Sequence, residues 1–225
     1  LKDGKMLLQE AITVLYNPVE TSSENYAKTI LSLLNKSRTE LKKVENNYQR
    51  YYWQGRNKFL EAEFYQFSGE GRKAARSFQR TEKLAKKALR EKASSAAHTL
   101  LAESYMRQFE YRGSMYTSQF GPEAYKLLQR AVELRKNNYR ALNALGQYLY
   151  LAPEIGGGDK DKAVRSLQKA LESKNKHHNF ISYLWLAKIN KEKNNLEQAE
   201  KYFKKALEIY PASPWVSSEL KKLTE

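Results

Sequence analysis

The sequence predicts an all-α chain, a solenoid of helical hairpins about 10–11 helices long and closed by a C-terminal capping helix. Three observations carry this. Only 10 glycines and 5 prolines interrupt 225 residues, so turns are few and elements are long. Apolar residues recur at spacings of three and four from one end to the other. Two-helix units of similar pattern also recur toward the C-terminus at a period near 34 residues.

Residues 1–94 form a helical region whose hairpins match that period poorly. Helices are expected near 3–16, 23–45, 46–68 and 70–92. Asn17-Pro18 and Ser68-Gly69 supply breaks, and Ser22 or Ser23 caps the second helix. On the third helix Trp53, Leu60, Phe64 and Phe67 share one face. Better formed units follow at 95–138, 139–179 and 180–213. In the first, Leu101, Ala102 and Tyr105 belong to one helix and Ala124, Leu128 and Ala131 to the other. Its inter-helix linker, around residues 111–121, is about ten residues longer than the period allows. In the second, Leu142, Leu145, Gly146 and Leu149 pair with Ala163, Leu167 and Ala170. The linker there, YLAPEIGGG, is about five residues too long. Both enlarged linkers are expected at one edge. The third unit has Tyr183, Leu186, Ala187 and Asn190, then the polar turn Lys193-Asn194-Asn195, then Ala199, Phe203 and Ala206, with Pro211 closing it. The final PWVSSELKKL reads as the capping helix. The whole is read as one continuous domain.

Small residues where paired helices cross, large ones between units and a closing proline give residues 180–213 a strong resemblance to the tetratricopeptide-repeat (TPR) superfamily, with Ala187 where that family usually has glycine. The resemblance implies a binding scaffold. Residues 95–215 resemble a narrower group, whose motif falls in 145–170: the Tyr148–Tyr150 stretch, Pro153, the Gly156-Gly157-Gly158 turn and Lys162-Ala163. These are the TatT-like, TRAP-transporter-associated TPR lipoproteins of bacteria. That resemblance implies a periplasmic, lipid-anchored adaptor for a solute-binding subunit, with a small organic ligand as a further partner. The lipid-attachment cysteine of that group is absent from this chain. The chain begins at Leu1 rather than Met, so an upstream segment is expected, of a kind that carries a signal peptide or a lipid-attachment cysteine. The alternatives are a cytoplasmic scaffold docking peptides in its groove and a nucleic-acid-associated helical repeat.

Catalysis has little support, and the chain is read as a non-enzyme with no cofactor. There are no cysteines, so disulfides, thiol catalysis and cysteine metal sites are excluded. His98 lies at a packing position, and His177-His178 reads as a solvated pair with no third metal ligand beside it. Glu61 and Glu63 lie two apart on a helix and point to different faces, which makes no acid–base dyad. No apolar run reaches the roughly 20 residues of a membrane span.

The formal net charge is +15, spread along the chain as +8 over residues 1–95 and +7 over the rest. Partners with negative charge are therefore favoured: an acidic protein first, with an anionic membrane surface and nucleic acid behind it. Three candidate surfaces stand out. The groove face of the first helix of each repeat is assigned Thr99, Glu103 and Met106, then Arg140, Asn143, Gln147 and Tyr150, then Leu184, Lys188 and Lys191. Arg140, Lys188 and Lys191 suit a carboxylate, although the Lys/Asn order of carboxylate-clamp repeats is not reproduced. The loop with Pro153, Gly156, Gly157 and Gly158 is either a long turn before a helix capped by Asp159 or the lining of a ligand mouth. The fourth helix carries a basic stripe, Arg72, Arg76, Arg80, Lys83, Lys87 and Arg90, read either as a solvated face or as a surface for an anionic partner.

Overall fold

The computed structural model describes residues 1–19 and 22–224. Among them the chain is all-α: α1 (Lys2–Tyr16), α2 (Ser23–Lys42), α3 (Asn47–Phe67), α4 (Gly71–Glu91), α5 (Ser95–Leu134), α6 (Tyr139–Leu151), α7 (Lys160–Ala170), α8 (Lys176–Glu192), α9 (Leu196–Ile209) and α10 (Pro214–Thr224), with one 3-10 turn at Glu154–Gly156. The chain divides into two compact units, Leu1–Leu134 and Arg135–Glu225.

In the first unit α1 pairs with α2, and α3 pairs with α4. The boundaries follow local chemistry. Ser22 accepts from the Asn25 amide and Asn46 from the Gln49 amide, each satisfying an orphan donor of its helix start. Gly69, at φ 74°, turns α3 into α4, and the Glu70 amide donates back to Tyr65 O at 2.8 Å. The inner face of α4 is small and regular: Ala74, Ser77, Thr81, Ala85 and Ala88 are buried around Phe78. Phe78 meets Phe59 of α3 edge-on at 5.5 Å.

The expected linker at residues 111–121 is not a loop. Helix continues through it on both sides of one residue, Gly113, whose φ of 71° and ψ of −179° reverse the chain within α5. The extra residues stay helical because they bury an aromatic face. Phe120 packs across the turn on Tyr105 of the first arm at 4.7 Å and, within its own arm, on Tyr116 at 4.4 Å. Leu101, Ala102, Tyr105, Ala124, Leu128 and Ala131 are all buried.

In the second unit α6 pairs with α7 and α8 with α9. Ala163, Leu167, Ala170, Ala187, Ala199, Phe203 and Ala206 are fully buried. Tyr210 closes over Phe180 at 4.8 Å, and Val216 of α10 is fully buried at the end of the unit. The Lys193–Asn195 turn forms with Asn194 at φ 57°, a left-handed position asparagine tolerates.

Candidate functional site

In the second unit the first helices of the two hairpins, α6 and α8, bring an aromatic pair together. Tyr150 and Trp185 meet edge to face at 6.0 Å, both half-buried against the cluster of Leu167, Leu186 and Ile189. Lysines lie over both rings, Lys160 at 5.8 Å from Tyr150 and Lys188 at 5.1 Å from Trp185. Lys160 also pairs with Glu192 at 2.6 Å. Of the residues assigned to the groove, Gln147, Tyr150, Leu184 and Lys188 are half-exposed, as is Arg140 near the start of α6. Lys191 is engaged with Glu219 of α10 at 2.9 Å, so it ties the cap to α8.

Asn143 differs from its assignment. It is 3% exposed, donates to His178 O at 2.9 Å and accepts from the Ser182 hydroxyl at 2.7 Å. It bolts α6 to α8 instead of facing a partner, because a residue one position round the helix from the groove points into the neighbouring hairpin. Trp185 falls outside the groove assignment for the same reason. Counting by three and four selected Leu184, while the ring that meets Tyr150 stands one residue on.

The loop between α6 and α7 is held by its own hydrogen bonds. Tyr148 Oη donates to Gly156 O at 2.8 Å, the Gly158 amide to Pro153 O at 3.0 Å, and the Asp159 amide to Leu149 O at 2.8 Å. Gly157 is left-handed at φ 88°. Gly158 runs against backbone, where a Cβ would stand 1.9 Å from Ala152 O. Asp159 accepts from the Lys162 amide at 2.8 Å and pairs with its ammonium at 3.0 Å, so it takes a donor that an anion would need. Those contacts and the helix start hold its carboxyl below the usual aspartate range. At the tip Ile155 is 99% exposed and Leu151 63%.

The first unit holds a buried charge network that the sequence did not suggest. Glu63 of α3 accepts from Tyr16 Oη of α1 at 3.1 Å and from Arg107 of α5 at 3.0 Å. Glu103, one turn before Arg107, lies in electrostatic reach of Glu63, Arg56 and Arg107. Burial pushes the Glu63 carboxyl up, and pushes Glu103 up to about 8 against the pull of Arg56 and Arg107. Glu61 serves a separate cluster, bonded by Arg38 and Lys58 at 2.6 Å each and by the Ser77 hydroxyl at 3.1 Å. Burial opposes its ionisation, but Lys58 and Arg38 together hold it below the usual range. Glu61 and Glu63 thus face apart, while Glu63 finds a second carboxylate across the helix pair. Thr99 is buried and bonds Ser95 O at 2.8 Å, and Met106 is half-exposed.

The histidines all contact neighbouring groups of the chain. His98 Nδ1 lies 2.8 Å from Ser94 O. The pair expected in solvent is half-buried: His178 Nδ1 lies 3.0 Å from the Ser173 hydroxyl, and His177 stacks on Phe180 at 6.4 Å. The turn that carries them begins α8, which folds both rings onto the unit. All six stripe residues of α4 are exposed.

Residues 181–213 match a family model described as Tetratricopeptide repeat. No curated protein matches the chain. Among solved structures, a thermophilic TPR protein of Thermus thermophilus, TTC0263, is 16% identical with a TM-score of 0.61, covering 98% of each chain. The human IFIT1 dimer with PPP-AAAA is 20% identical with a TM-score of 0.62, covering 98% of this chain and 53% of that one. These matches reach the repeat fold and stop short of the transporter-associated group. The fold is therefore an all-α array of TPR type, with a tetratricopeptide repeat at residues 181–213.

Proposed function

We propose that the chain is a non-catalytic interaction protein that receives a segment of a partner protein on the α6–α8 face of its second unit. The observation that carries this reading is the Tyr150–Trp185 pair with Lys160 and Lys188 over its rings. A half-buried Trp/Tyr pair supplies apolar area at little entropic cost, and the lysines favour a segment that also bears carboxylates. The partner class named by the sequence is a solute-binding subunit of a TRAP-type transporter in the periplasm. Support for it is the resemblance of residues 145–170, and a cytoplasmic peptide scaffold is the competing outcome.

A pull-down from the native organism tests both levels. The wild-type protein is compared with a Trp185→Ala, Lys188→Glu variant, and captured proteins are identified by mass spectrometry. Recovery of the main partner is expected to fall at least about tenfold, as loss of a central aromatic anchor costs about 2 kcal/mol or more. Equal recovery by both forms removes the α6–α8 face. A cytosolic partner removes the periplasmic reading alone.

A further inference from the structure

Helix α4 carries six exposed cations, Arg72, Arg76, Arg80, Lys83, Lys87 and Arg90, and none of them makes an ion pair among the described residues. By helical geometry they occupy an arc of about 80° and a row about 27 Å long. The lysines beside the row are paired, Lys73 with Glu70 and Lys86 with Glu82. Like charges one turn apart work against a helix. Here the buried Ala74–Ala88 face holds α4 in place, with a cation–π contact from Lys87 to Tyr51 of α3 beside it.

The period of the row selects its occupant. Steps of four, four, three, four and three residues average one helical turn, about 5.4 Å. An α-helix with one carboxylate per turn matches this repeat along the whole row. An extended segment with a carboxylate at every second residue repeats at about 6.7 Å and slips by a full charge over the same length. A lipid surface is disfavoured, since α4 exposes no large apolar side chain to seat in a bilayer interface. A nucleic-acid strand is disfavoured because the one aromatic ring of α4, Phe78, is fully buried, so the row carries no stacking platform of its own. Tyr51 of α3, beside the row, already has Lys87 and Arg50 over its ring at 5.4 Å each.

We infer that α4 is a docking surface for an acidic α-helix of a partner protein, aligned so that its carboxylates meet the cation row turn by turn. That the partner is a protein rests on the interaction reading above; the surface itself is separate from the α6–α8 face.

Fluorescence anisotropy with a labelled helical peptide of about six turns, glutamates at three- and four-residue spacing, tests this. A peptide of equal composition with the glutamates distributed around the helix is the control. A single-stranded RNA and phosphatidylserine vesicles serve as the other arms. The patterned peptide is expected to bind about tenfold or more tightly than the control, and to weaken as salt rises. An Arg76→Glu, Arg80→Glu, Lys83→Glu variant is expected to lose that binding while melting no earlier than wild type, since it relieves repulsion on an exposed face. Equal binding of the two peptides, no binding of either, or tighter binding of RNA or vesicles overturns the inference. The Trp185→Ala, Lys188→Glu protein is expected to keep peptide binding. Losing its partner while keeping the peptide supports both readings as separate surfaces, and loss of the peptide in that variant overturns the assignment to α4.

Discussion

The two units hold adjacent first helices together by opposite means. In the first, α1, α3 and α5 meet through charge: Tyr16, Glu63 and Arg107 bridge all three helices, with Arg56 and Glu103 beside them. In the second, α6 and α8 meet through an apolar cluster around Leu186 and a single amide, Asn143, which satisfies His178 O and Ser182 together. A neutral amide bridge is insensitive to pH and salt. A buried carboxylate network depends on every member, because each ion left alone keeps its desolvation cost. The first unit should therefore be the more fragile to single polar substitutions and the only one of the two with a steep response to pH.

The largest effect is expected for Arg107→Met. It keeps the aliphatic stem but strands Glu63 with only a phenol and the more distant Arg56. We expect a loss of about 3 kcal/mol, toward the lower end for a broken buried pair because the Arg107 side chain is one-third exposed. Hydrogen exchange should show the loss in peptides from residues 1–134 and leave those from 135 onward unchanged. An equal loss in both units would refute the contrast.

A smaller effect, in the second unit, is expected at the loop. Gly158→Ala places a Cβ against the Ala152 carbonyl, which is backbone and cannot turn aside. The loop must open, releasing the Asp159–Leu149 hydrogen bond ahead of α7. A cost of about 2 kcal/mol is expected, confined to residues 135 onward. Unchanged urea unfolding of this variant would mean that the loop is not rigidly framed.

The difference between the units also explains what could be read from the sequence. Helix boundaries in residues 1–92 were legible because caps and turns act within four residues, as at Ser22 and Gly69. The core alanines of the second unit were legible because their spacing repeats. At 111–121, counting against a period treats any excess as loop, whereas Tyr116 and Phe120 find an aromatic partner in Tyr105. The Glu63–Arg107 pair joins residues 44 apart in sequence, and only the packing of α3 on α5 brings them together. At the α6–α8 face, periodicity found Tyr150 and Lys188 but could not distinguish a groove position from the adjacent buried one, so Asn143 entered and Trp185 did not.

The smallest effect sharpens the comparison most. Glu103 has its carboxyl pushed up to about 8 from an ordinary 4.5. The groups facing it include Arg56, Tyr52 and Glu63 from α3 and Arg107 on its own helix. Between these two values the folded carboxyl is protonated and the unfolded one is ionised, so folding takes up a proton. Stability from this group is therefore full at the acid end of the window and falls as pH rises toward 8. The fall is expected to be about 1 kcal/mol from pH 5 to 8, reduced from the full shift because the site retains some solvent and two guanidiniums. Glu61 and Glu82, held low by their lysines, change below this window and add no slope within it. Glu103→Gln should flatten the pH dependence of the first unit and raise its melting temperature at pH 8, with no change in the second. A slope that survives the substitution would assign the proton uptake to Glu63 instead, the other carboxyl that burial raises, and would move the centre of the network from α5 to α3.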